Sequence, residues 1–279
     1  MKGGLGNQMF QFSAAYSLAQ NLSVALDIDT SYYPLSNHNN FELKNVFGLN
    51  DNKLVFNKKY SRFLNRLLFF VESKLNVKII STLILSAEDL DNAILYENNK
   101  IILDDYFQSE KYFVKHRKNL LKLLCFPVLS GRNLETQGFI EKNNTFSIHI
   151  RRGDYITNPG AVMNMARINS NYYKKAKTYI EKNVKNVKFV YFSDDINWVR
   201  NEFHIANSDI VVDWNNESDS YVDMQLMSLC QHNIIANSSF SWWGAWLNKN
   251  TEKVVVAPKK WFNNVSLNSQ IIPSNWIKF

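Results

Sequence analysis

Two adjacent arginines at the end of an apolar run are the clearest chemical feature of this chain. Residues 145–150 have the composition of a strand, and Arg151, Arg152, Gly153 and Asp154 follow directly. Such a run ending in Gly-Asp predicts a strand that stops at the edge of a sheet. Ligands of open α/β sheets bind outside the carboxyl ends of strands, and a guanidinium matches a phosphate with two parallel hydrogen bonds. The stretch therefore predicts an anion site.

The two arginines are not expected to act alike. Side chains of neighbouring strand residues point to opposite faces, so at most one of Arg151 and Arg152 is expected to face a ligand squarely. We expect the other to brace the loop, with Asp154 as a candidate partner. The alternative is an ordinary pair of surface arginines after a strand.

A second anion-binding pattern follows a strand predicted at residues 233–236. Asn237, Ser238, Ser239 and Phe240 open an apolar, tryptophan-rich helical run. Serine is a good helix cap, and a helix N-terminus carries about half a positive charge, which suits phosphate. Two strand ends that both contact anions would suit a diphosphate. The alternative is a capped helix with a buried tryptophan face.

A carboxylate precedes this second pattern. Asp223 lies on the helix predicted just before the strand. Near a nucleotide pocket, a carboxylate suits guanine, whose N1 and N2 hydrogens form a paired donor edge that adenine lacks. A solvated helix aspartate is the alternative.

The beginning of the chain is rich in glycine. Residues 3–8 read Gly-Gly-Leu-Gly-Asn-Gln and precede a helical pattern. Glycines let the backbone approach a ligand closely, which makes Gly4, Asn7 and Gln8 candidate contacts, although a simple strand-to-helix turn is the alternative. The spacing fits neither a dinucleotide loop nor a P-loop. Since only two residues precede this loop, we expect that the first strand is missing or that the start lies earlier.

Composition narrows the classes of partner. There are 32 lysines and arginines against 25 aspartates and glutamates, and the net charge of +7 suits an anionic ligand or membrane surface. Without a basic block, a zinc motif or an RNP motif, no nucleic-acid partner is predicted. The chain shows no signal peptide or spanning segment, and Cys125 and Cys230 are far apart, so a cytoplasmic protein is predicted.

Two further patterns bear on metal binding and on membrane binding. Asp27 and Asp29 form an Asp-x-Asp pattern, but no other acid or histidine clusters with them, so an ordinary strand end and no metal site are predicted. Residues 61–75 are amphipathic and predict a core-facing helix. The alternative is a basic helix lying peripherally on an anionic membrane.

Alternating strands and helices dominate the second half. They predict a parallel sheet with helices on both faces, a Rossmann-like domain. Strands are predicted at 145–150, 188–193, 209–214, 233–236 and 253–257. Helices are predicted at 172–184, 196–203, 221–231 and 238–247. The polar stretch 130–144 predicts a linker, which gives domains 1–135 and 136–262 and a final segment, 263–279, that packs back toward the first domain.

Five motifs in order resemble those of bacterial α-1,2-fucosyltransferases of glycosyltransferase family 11. They lie at residues 3–8, at 106–113 (Tyr-Phe-Gln-Ser-Glu-Lys-Tyr-Phe), at 149–154 (His-Ile-Arg-Arg-Gly-Asp), at 193–195 (Ser-Asp-Asp) and at 223–244. The resemblance spans nearly the whole chain. It implies a GT-B fold, in which two Rossmann-like domains face each other across a cleft. It also implies a galactoside α-1,2-fucosyltransferase that uses the donor GDP-β-L-fucose and inverts the configuration at its anomeric carbon. No cofactor and no obligatory metal are implied.

The resemblance also assigns roles to residues. The catalytic candidates are Arg151, Asp154 as a possible base, and Asn7. The residues implied to bind the nucleotide sugar are His149, Arg151, Arg152, Asp223, Asn237, Ser238, Ser239, Phe240, Gly4 and Gln8. Among these, Asp223 would recognise guanine, the Ser238–Phe240 turn would hold the diphosphate, and Asn7 and Gln8 would reach across the cleft.

The chain departs from the family pattern at two further places, the second of which concerns the acceptor side. Asp105 replaces an expected glycine, and residues 155–169 lack an expected His-Gly pair. We expect the loops 32–41 and 155–169 to select the acceptor, a terminal sugar of a glycan or a surface polysaccharide such as O-antigen. Two alternatives remain: another inverting GT-B transferase with a different donor or linkage, and a non-catalytic relative that binds anions.

Overall fold

The chain forms two compact units, Met1–Cys125 and Phe126–Phe279. The computed structural model describes residues 1–30, 32–33, 41–49, 54–57, 82–92, 100–264 and 270–279. The amphipathic helix predicted at 61–75 lies outside these residues, as does most of the loop 32–41.

The first unit opens with a long buried helix. Met9, Phe10 and Phe12 of this helix are fully buried, and the ring of Phe10 lies 6.0 Å from that of Phe113. Two pairs of parallel strands follow, β1 with β2 and β3 with β4. In chain order the elements are α1 (Leu5–Leu22), β1 (Leu26–Asp29), α2 (Leu43–Phe47), β2 (Leu54–Asn57), β3 (Thr82–Leu85), α3 (Ala87–Asn92), β4 (Lys100–Leu103) and α4 (Arg117–Leu123).

The second unit is built on a six-stranded parallel sheet, as its alternating pattern predicts. The strand order is β10-β9-β8-β5-β6-β7. Its elements are α5 (Gly131–Lys142), β5 (Asn144–Ile150), α6 (Gly153–Thr157), α7 (Pro159–Asn164), α8 (Ser170–Asn183), β6 (Val187–Ser193), α9 (Ile196–Glu202), β7 (Ile210–Val212), α10 (Tyr221–Leu229), β8 (His232–Ile234), α11 (Ser239–Leu247), β9 (Val255–Ala257) and β10 (Ile277–Lys278).

Helices cover both faces of this sheet. Phe146, Ile148 and Ile150 of β5 pack against α8 and α9 in one apolar cluster. On the opposite face, Val190 and Phe192 of β6 pack with α5 and α10 in a second cluster. Because a strand buried on both faces reads as a continuous apolar run, these strands were visible in the sequence. The predicted layered α/β arrangement is confirmed.

The prediction of a linker at residues 130–144 is wrong. Residues 131–142 form helix α5, and the Ile140 side chain is fully buried against the sheet. Thr136, Phe139 and Ile140 fall three and four residues apart and make one buried face, whereas the polar residues that suggested a loop lie on the solvent side. The boundary between the units therefore falls before residue 126 and not at 135.

The final segment also differs from its prediction. Its last strand, β10, pairs with β9 of the second unit, and the Trp276 ring lies 5.5 Å from that of Trp242. The Trp242 indole Nε1 donates to the carbonyl oxygen of Ile271 at 2.8 Å. The C-terminal residues thus belong to the second unit and do not form a separate segment.

The region 155–169, predicted as a loop, contains most of α6 and all of α7. The Asn158 side chain caps α7 by accepting from the amides of Gly160 and Ala161, and Pro159 occupies its first turn, a position where proline lacks no needed donor. No helix in the described ranges is both long and apolar enough to cross a bilayer.

Candidate active site

Strand β5 delivers two predicted site residues to one face of the sheet. Ile148 and Ile150 point into the cluster with α8 and α9. By alternation, His149 and Arg151 point to the opposite face, which α10 and α11 cover. His149 is level with Phe192 of the cluster on that face, and its ring lies 5.8 Å from the Phe240 ring.

Arg151 is held by an aspartate at the end of the neighbouring strand. Its Nη1 lies 3.1 Å from Oδ2 of Asp194. The same carboxylate accepts the amides of Arg152 and Gly153, each at 2.9 Å. Asp194 therefore fixes the turn after β5 and orients the guanidinium. Sequence reasoning gave Asp194 no role, although its place after a strand in the Ser-Asp-Asp motif was a signal.

Arg152 braces the turn from the other side, as alternation predicts. Its Nε donates to Oδ2 of Asp195 at 3.1 Å, and its guanidinium carbon lies 4.0 Å from the centre of the Trp198 ring. Asp195 also caps α9, since its Oδ1 accepts the Trp198 amide. Asp195 is thus a bracing partner of Arg152, and the suggested partner Asp154 has a side chain outside the described part of the chain. Arg152 anchors α9 and is not predicted by this geometry to contact phosphate.

His149 is a neutral histidine at the base of the site. It is 6% exposed, and burial, reinforced by the nearby Arg151 charge, lowers its pKa to about 3. Its Nδ1 is buried without a hydrogen-bond partner among the described residues. The imidazole therefore stays uncharged at physiological pH and retains hydrogen-bonding capacity for a ligand.

The second predicted anion contact lies beside the first. β8 pairs directly with β5, with Ile234 level with Ile148, so both strands end at the same edge. Ser238 caps α11, and its Oγ accepts the Phe240 amide at 3.3 Å. The Ser238 hydroxyl keeps its own hydrogen to donate to a phosphate, whereas the predicted use of the Phe240 amide as a phosphate donor requires this long bond to open. Ser239, the first helical residue, is partly exposed.

Asn237 is directed inward, contrary to its prediction as a ligand contact. It is almost fully buried, and its Nδ2 donates to the carbonyl oxygens of Ala166 and Trp261 at 2.7 and 2.9 Å. Its own carbonyl accepts the Tyr155 hydroxyl at 3.0 Å. Tyr155, which sequence reasoning did not single out, thereby ties the turn after β5 to the turn after β8.

Asp223 lies in the first turn of α10, which begins after the carboxyl end of β7 and packs on the same face as His149. Its Oδ1 accepts Nδ2 of Asn215 at 2.8 Å. Burial raises the pKa of this carboxyl to about 7, although the Asn215 hydrogen bond acts against the shift. Asp223 therefore offers a carboxyl that titrates near neutral pH, on a helix that packs on the His149 face of the sheet.

The glycine-rich loop of the first unit is tied to the motif at 106–113. Oδ1 of Asn7 accepts Nε2 of Gln108 at 2.7 Å. Gly3 has a φ of 83°, and a Cβ there would lie 2.8 Å from the side-chain nitrogen Nδ2 of Asn7, so this position requires glycine. Gly4 precedes α1 as its cap residue, and its carbonyl accepts the Asn7 amide.

Gln8 does not face outward as predicted. Its side chain is fully buried; its Nε2 donates to the Gly3 carbonyl, and its Oε1 accepts the amides of Glu42 and Leu43, all at 3.0 Å. Gln8 therefore holds the loop. Asp154 lies in the backbone of α6, and its role as a base stays a prediction.

The Asp-x-Asp pattern behaves as an ordinary strand end. Asp27 and Asp29 lie in β1, where Asp27 is exposed. Across the part of the chain that the structure describes, no three His, Cys, Asp or Glu side chains group as metal ligands would.

A parallel α/β sheet that presents an arginine and a capped helix N-terminus at adjoining strand ends is an arrangement in which α/β proteins bind anions such as phosphate groups. The family model described as glycosyl transferase family 11 matches residues 1–279, and the chain belongs to this family.

Two relatives from Escherichia coli match over nearly their whole length. The O-antigen biosynthesis glycosyltransferase WbnK is 38% identical over 300 residues, covering 99% of this chain and 98% of that protein. An α-1,2-colitosyltransferase is 32% identical over 286 residues, covering 100% and 97%. The crystal structure of the NodZ α-1,6-fucosyltransferase with GDP is similar with a TM-score of 0.51 at 16% identity, covering 88% of this chain and 89% of that one. The predicted GT-B-type fold is confirmed.

Proposed function

We propose that this glycosyltransferase moves L-fucose from GDP-β-L-fucose to the 2-hydroxyl of a terminal sugar of a glycan or surface polysaccharide, with inversion at the anomeric carbon. The proposed terminal sugar is galactose. The observation that carries the proposal is the pair of adjoining strand ends, where Arg151 and the Ser238-capped N-terminus of α11 offer two anion contacts. Membership of family 11 and similarity to an O-antigen transferase support the reaction class.

In this proposal the protein acts mainly on charge. Transfer develops positive charge on the sugar and negative charge on the departing GDP, so stabilising the β-phosphate lowers the barrier. Arg151 supplies a permanent cation and α11 a helix dipole, both of which favour the anion without a metal. Asp194 would orient Arg151, and neutral His149 would hydrogen-bond the nucleotide without adding charge.

The proton of the acceptor hydroxyl needs a destination. Asp154 is the candidate general base because it follows the arginine pair at the turn after β5. The departing phosphate itself is the alternative acceptor in a dissociative path. Peripheral contact with an anionic membrane surface fits the net charge of +7, which would bring the enzyme to membrane-bound acceptors.

A second candidate donor is GDP-colitose, favoured by the similarity to the α-1,2-colitosyltransferase over the whole chain. Colitose is 3-deoxy-L-fucose, so the two donors share the guanosine diphosphate and differ by one hydroxyl. The contacts at Arg151, Asp223 and α11 would serve either donor.

The test compares the two donors. The enzyme is given GDP-fucose and GDP-colitose separately with galactose-terminated acceptors, and the product linkage is determined by NMR. We expect an α-1,2-fucosyl product with the higher kcat/KM from GDP-fucose. A higher kcat/KM from GDP-colitose would assign the second donor, and turnover with neither would overturn both.

A further inference from the structure

A chain of hydrogen bonds reaches Asp223 from three residues that no step of the reaction uses. Nε1 of Trp214 donates to Oδ1 of Asn133 at 2.7 Å. Asn133 and Asn215 form a reciprocal amide pair, with Nδ2 of Asn133 donating to Oδ1 of Asn215 at 2.8 Å and the return bond at 3.0 Å. The second hydrogen of Asn215 Nδ2 goes to Oδ1 of Asp223 at 2.8 Å.

The direction of this chain is fixed by its first member. An indole nitrogen can only donate, so Trp214 requires the oxygen of Asn133 to face it. That choice leaves the Asn133 nitrogen to face the Asn215 oxygen, which in turn presents the Asn215 nitrogen to Asp223. Turning either amide over would set two donors or two acceptors against each other, which costs about 1–3 kcal/mol for a buried group.

The chain joins three separate elements at the carboxyl edge of the sheet. Asn133 lies in the first turn of α5, Trp214 and Asn215 follow β7, and Asp223 lies in the first turn of α10. Trp214 packs in the same cluster as Phe240, whose ring contacts His149. The carboxylate that the chain holds is therefore on the face of the predicted nucleotide site.

Nearby charges do not take over this role. Arg132 lies with its guanidinium carbon 3.7 Å from the centre of the Trp214 ring. Its Nη1 is 3.9 Å from Asp213, which also pairs with Arg200 at 2.6 Å. The pKa of the Asp223 carboxyl is raised by its burial and lowered by the Asn215 hydrogen bond.

We propose that Trp214, Asn133 and Asn215 are positioning residues that fix the Asp223 carboxylate as a pair of acceptors for the N1 and N2 hydrogens of guanine. The chain would thereby set the preference of the site for guanine over bases that lack the 2-amino group. This inference rests on the proposed use of a guanosine diphosphate donor and adds the device that selects its base.

The experiment compares the Kd of GDP with that of inosine diphosphate, which lacks only the 2-amino group, by calorimetry on the full chain. In the wild type, GDP should bind at least about tenfold more tightly, the effect of one hydrogen bond to a charged group. Asn215→Leu and Asn133→Leu should reduce this ratio at least about threefold, and Trp214→Phe, which keeps the ring packing, should reduce it in the same direction.

Gln137→Leu is the matched control, because it removes a side-chain amide from the same helix, α5, and this amide donates to Oε1 of Glu141 at 2.7 Å and takes no part in the chain that reaches Asp223. Its GDP-to-inosine-diphosphate ratio should equal that of the wild type. If the chain of hydrogen bonds had only a structural role, its loss would weaken the binding of both nucleotides equally. An unchanged ratio of the two Kd values in Asn133→Leu and Trp214→Phe would therefore overturn the inference and leave the proposed donor intact.

A different result would show that the proposed function fails, and not the inference alone. If the wild type binds GDP no better than ADP, the guanosine donor itself is wrong and the inference falls with it. If a leucine variant does not fold, as judged by its melting curve, the ratio measured in Trp214→Phe decides the matter.

Discussion

At the scale of single residues, the Arg151 guanidinium already pairs with a carboxylate, so a bound phosphate would share this guanidinium with Asp194. Its Nη1 lies 3.1 Å from Asp194, and one third of its side chain is exposed at the strand end. Because the guanidinium would stabilise charge that develops on the β-phosphate, we expect Arg151→Ala to lower kcat by at least about 10²-fold. Steady-state kinetics with saturating donor measures this.

The matched control for Arg151 is Arg200→Ala. Arg200 also pairs with an aspartate, Asp213, but it lies in the last turn of α9 and not at a strand end. We expect kcat for that variant to stay within about twofold, as for a typical surface ion pair. A loss of less than about tenfold in folded Arg151→Ala would exclude the role in stabilising the leaving group.

If Asp223 recognises guanine as proposed, we expect GDP binding to depend on pH. Its pKa is raised to about 7 by burial, and guanine binding requires the ionised form because both N–H groups donate. Protonation below pH 7 must therefore be reversed on binding, and GDP affinity should rise about tenfold between pH 6 and pH 8. Calorimetry at both values measures it.

Asp223→Asn provides the reference, because the titration of the GDP phosphate is common to both proteins. The variant should bind GDP more weakly at pH 8 and show a smaller rise in affinity between the two pH values. Equal pH dependence in the two proteins would remove Asp223 from guanine recognition.

At the scale of elements, the junction between β5 and α6 depends on a glycine. A Cβ at Gly153 would lie 2.7 Å from Oδ2 of Asp194. We expect Gly153→Ala to push this carboxylate away from the amides of residues 152 and 153 and from Arg151. The free energy of unfolding should fall by about 1–3 kcal/mol and donor affinity should drop, measured by urea unfolding and calorimetry.

The control for that substitution lies on α5. A Cβ at Gly138 meets nothing within 4 Å, so Gly138→Ala should stabilise the protein by up to about 1 kcal/mol through helix propensity. If both substitutions have the same effect on stability and binding, the carboxylate clamp at Asp194 is not what holds the turn.

At the scale of the whole molecule, the proposed contacts to guanine and to the diphosphate, at Asp223, Arg151 and the N-terminus of α11, lie within one unit, residues 126–279. GDP at a hundred times its Kd should then stabilise the native chain by about 2.7 kcal/mol, seen as a rise in Tm, and UDP and ADP should do so less. The same rise should appear with EDTA, since a cation and a helix dipole carry the phosphate charge. A GDP shift that disappears with EDTA and returns with Mg²⁺ would establish a metal requirement.

The second unit shows how far local patterns reach. The continuous apolar run before Arg151, the alternation of strands and helices, and the serine cap before α11 each follow from contacts within a few residues, and each is seen in the fold. The prediction that Arg151 and Arg152 act on opposite sides also follows from the two-residue period of a strand. The polar residues of α5 misled the linker prediction because a solvent-facing side resembles a loop in sequence.

The sequence by itself therefore determined the layered α/β class, the strand ends and the residue types at them, because hydrophobic period and capping are local properties. Only the tertiary structure decided which side chains meet there. The strand order β8-β5-β6 brings Asp194 to Arg151 and Tyr155 to the turn at Asn237, while close packing turns Asn237 and Gln8 inward. Such pairs are far apart along the chain, and a local pattern does not record which strands become neighbours.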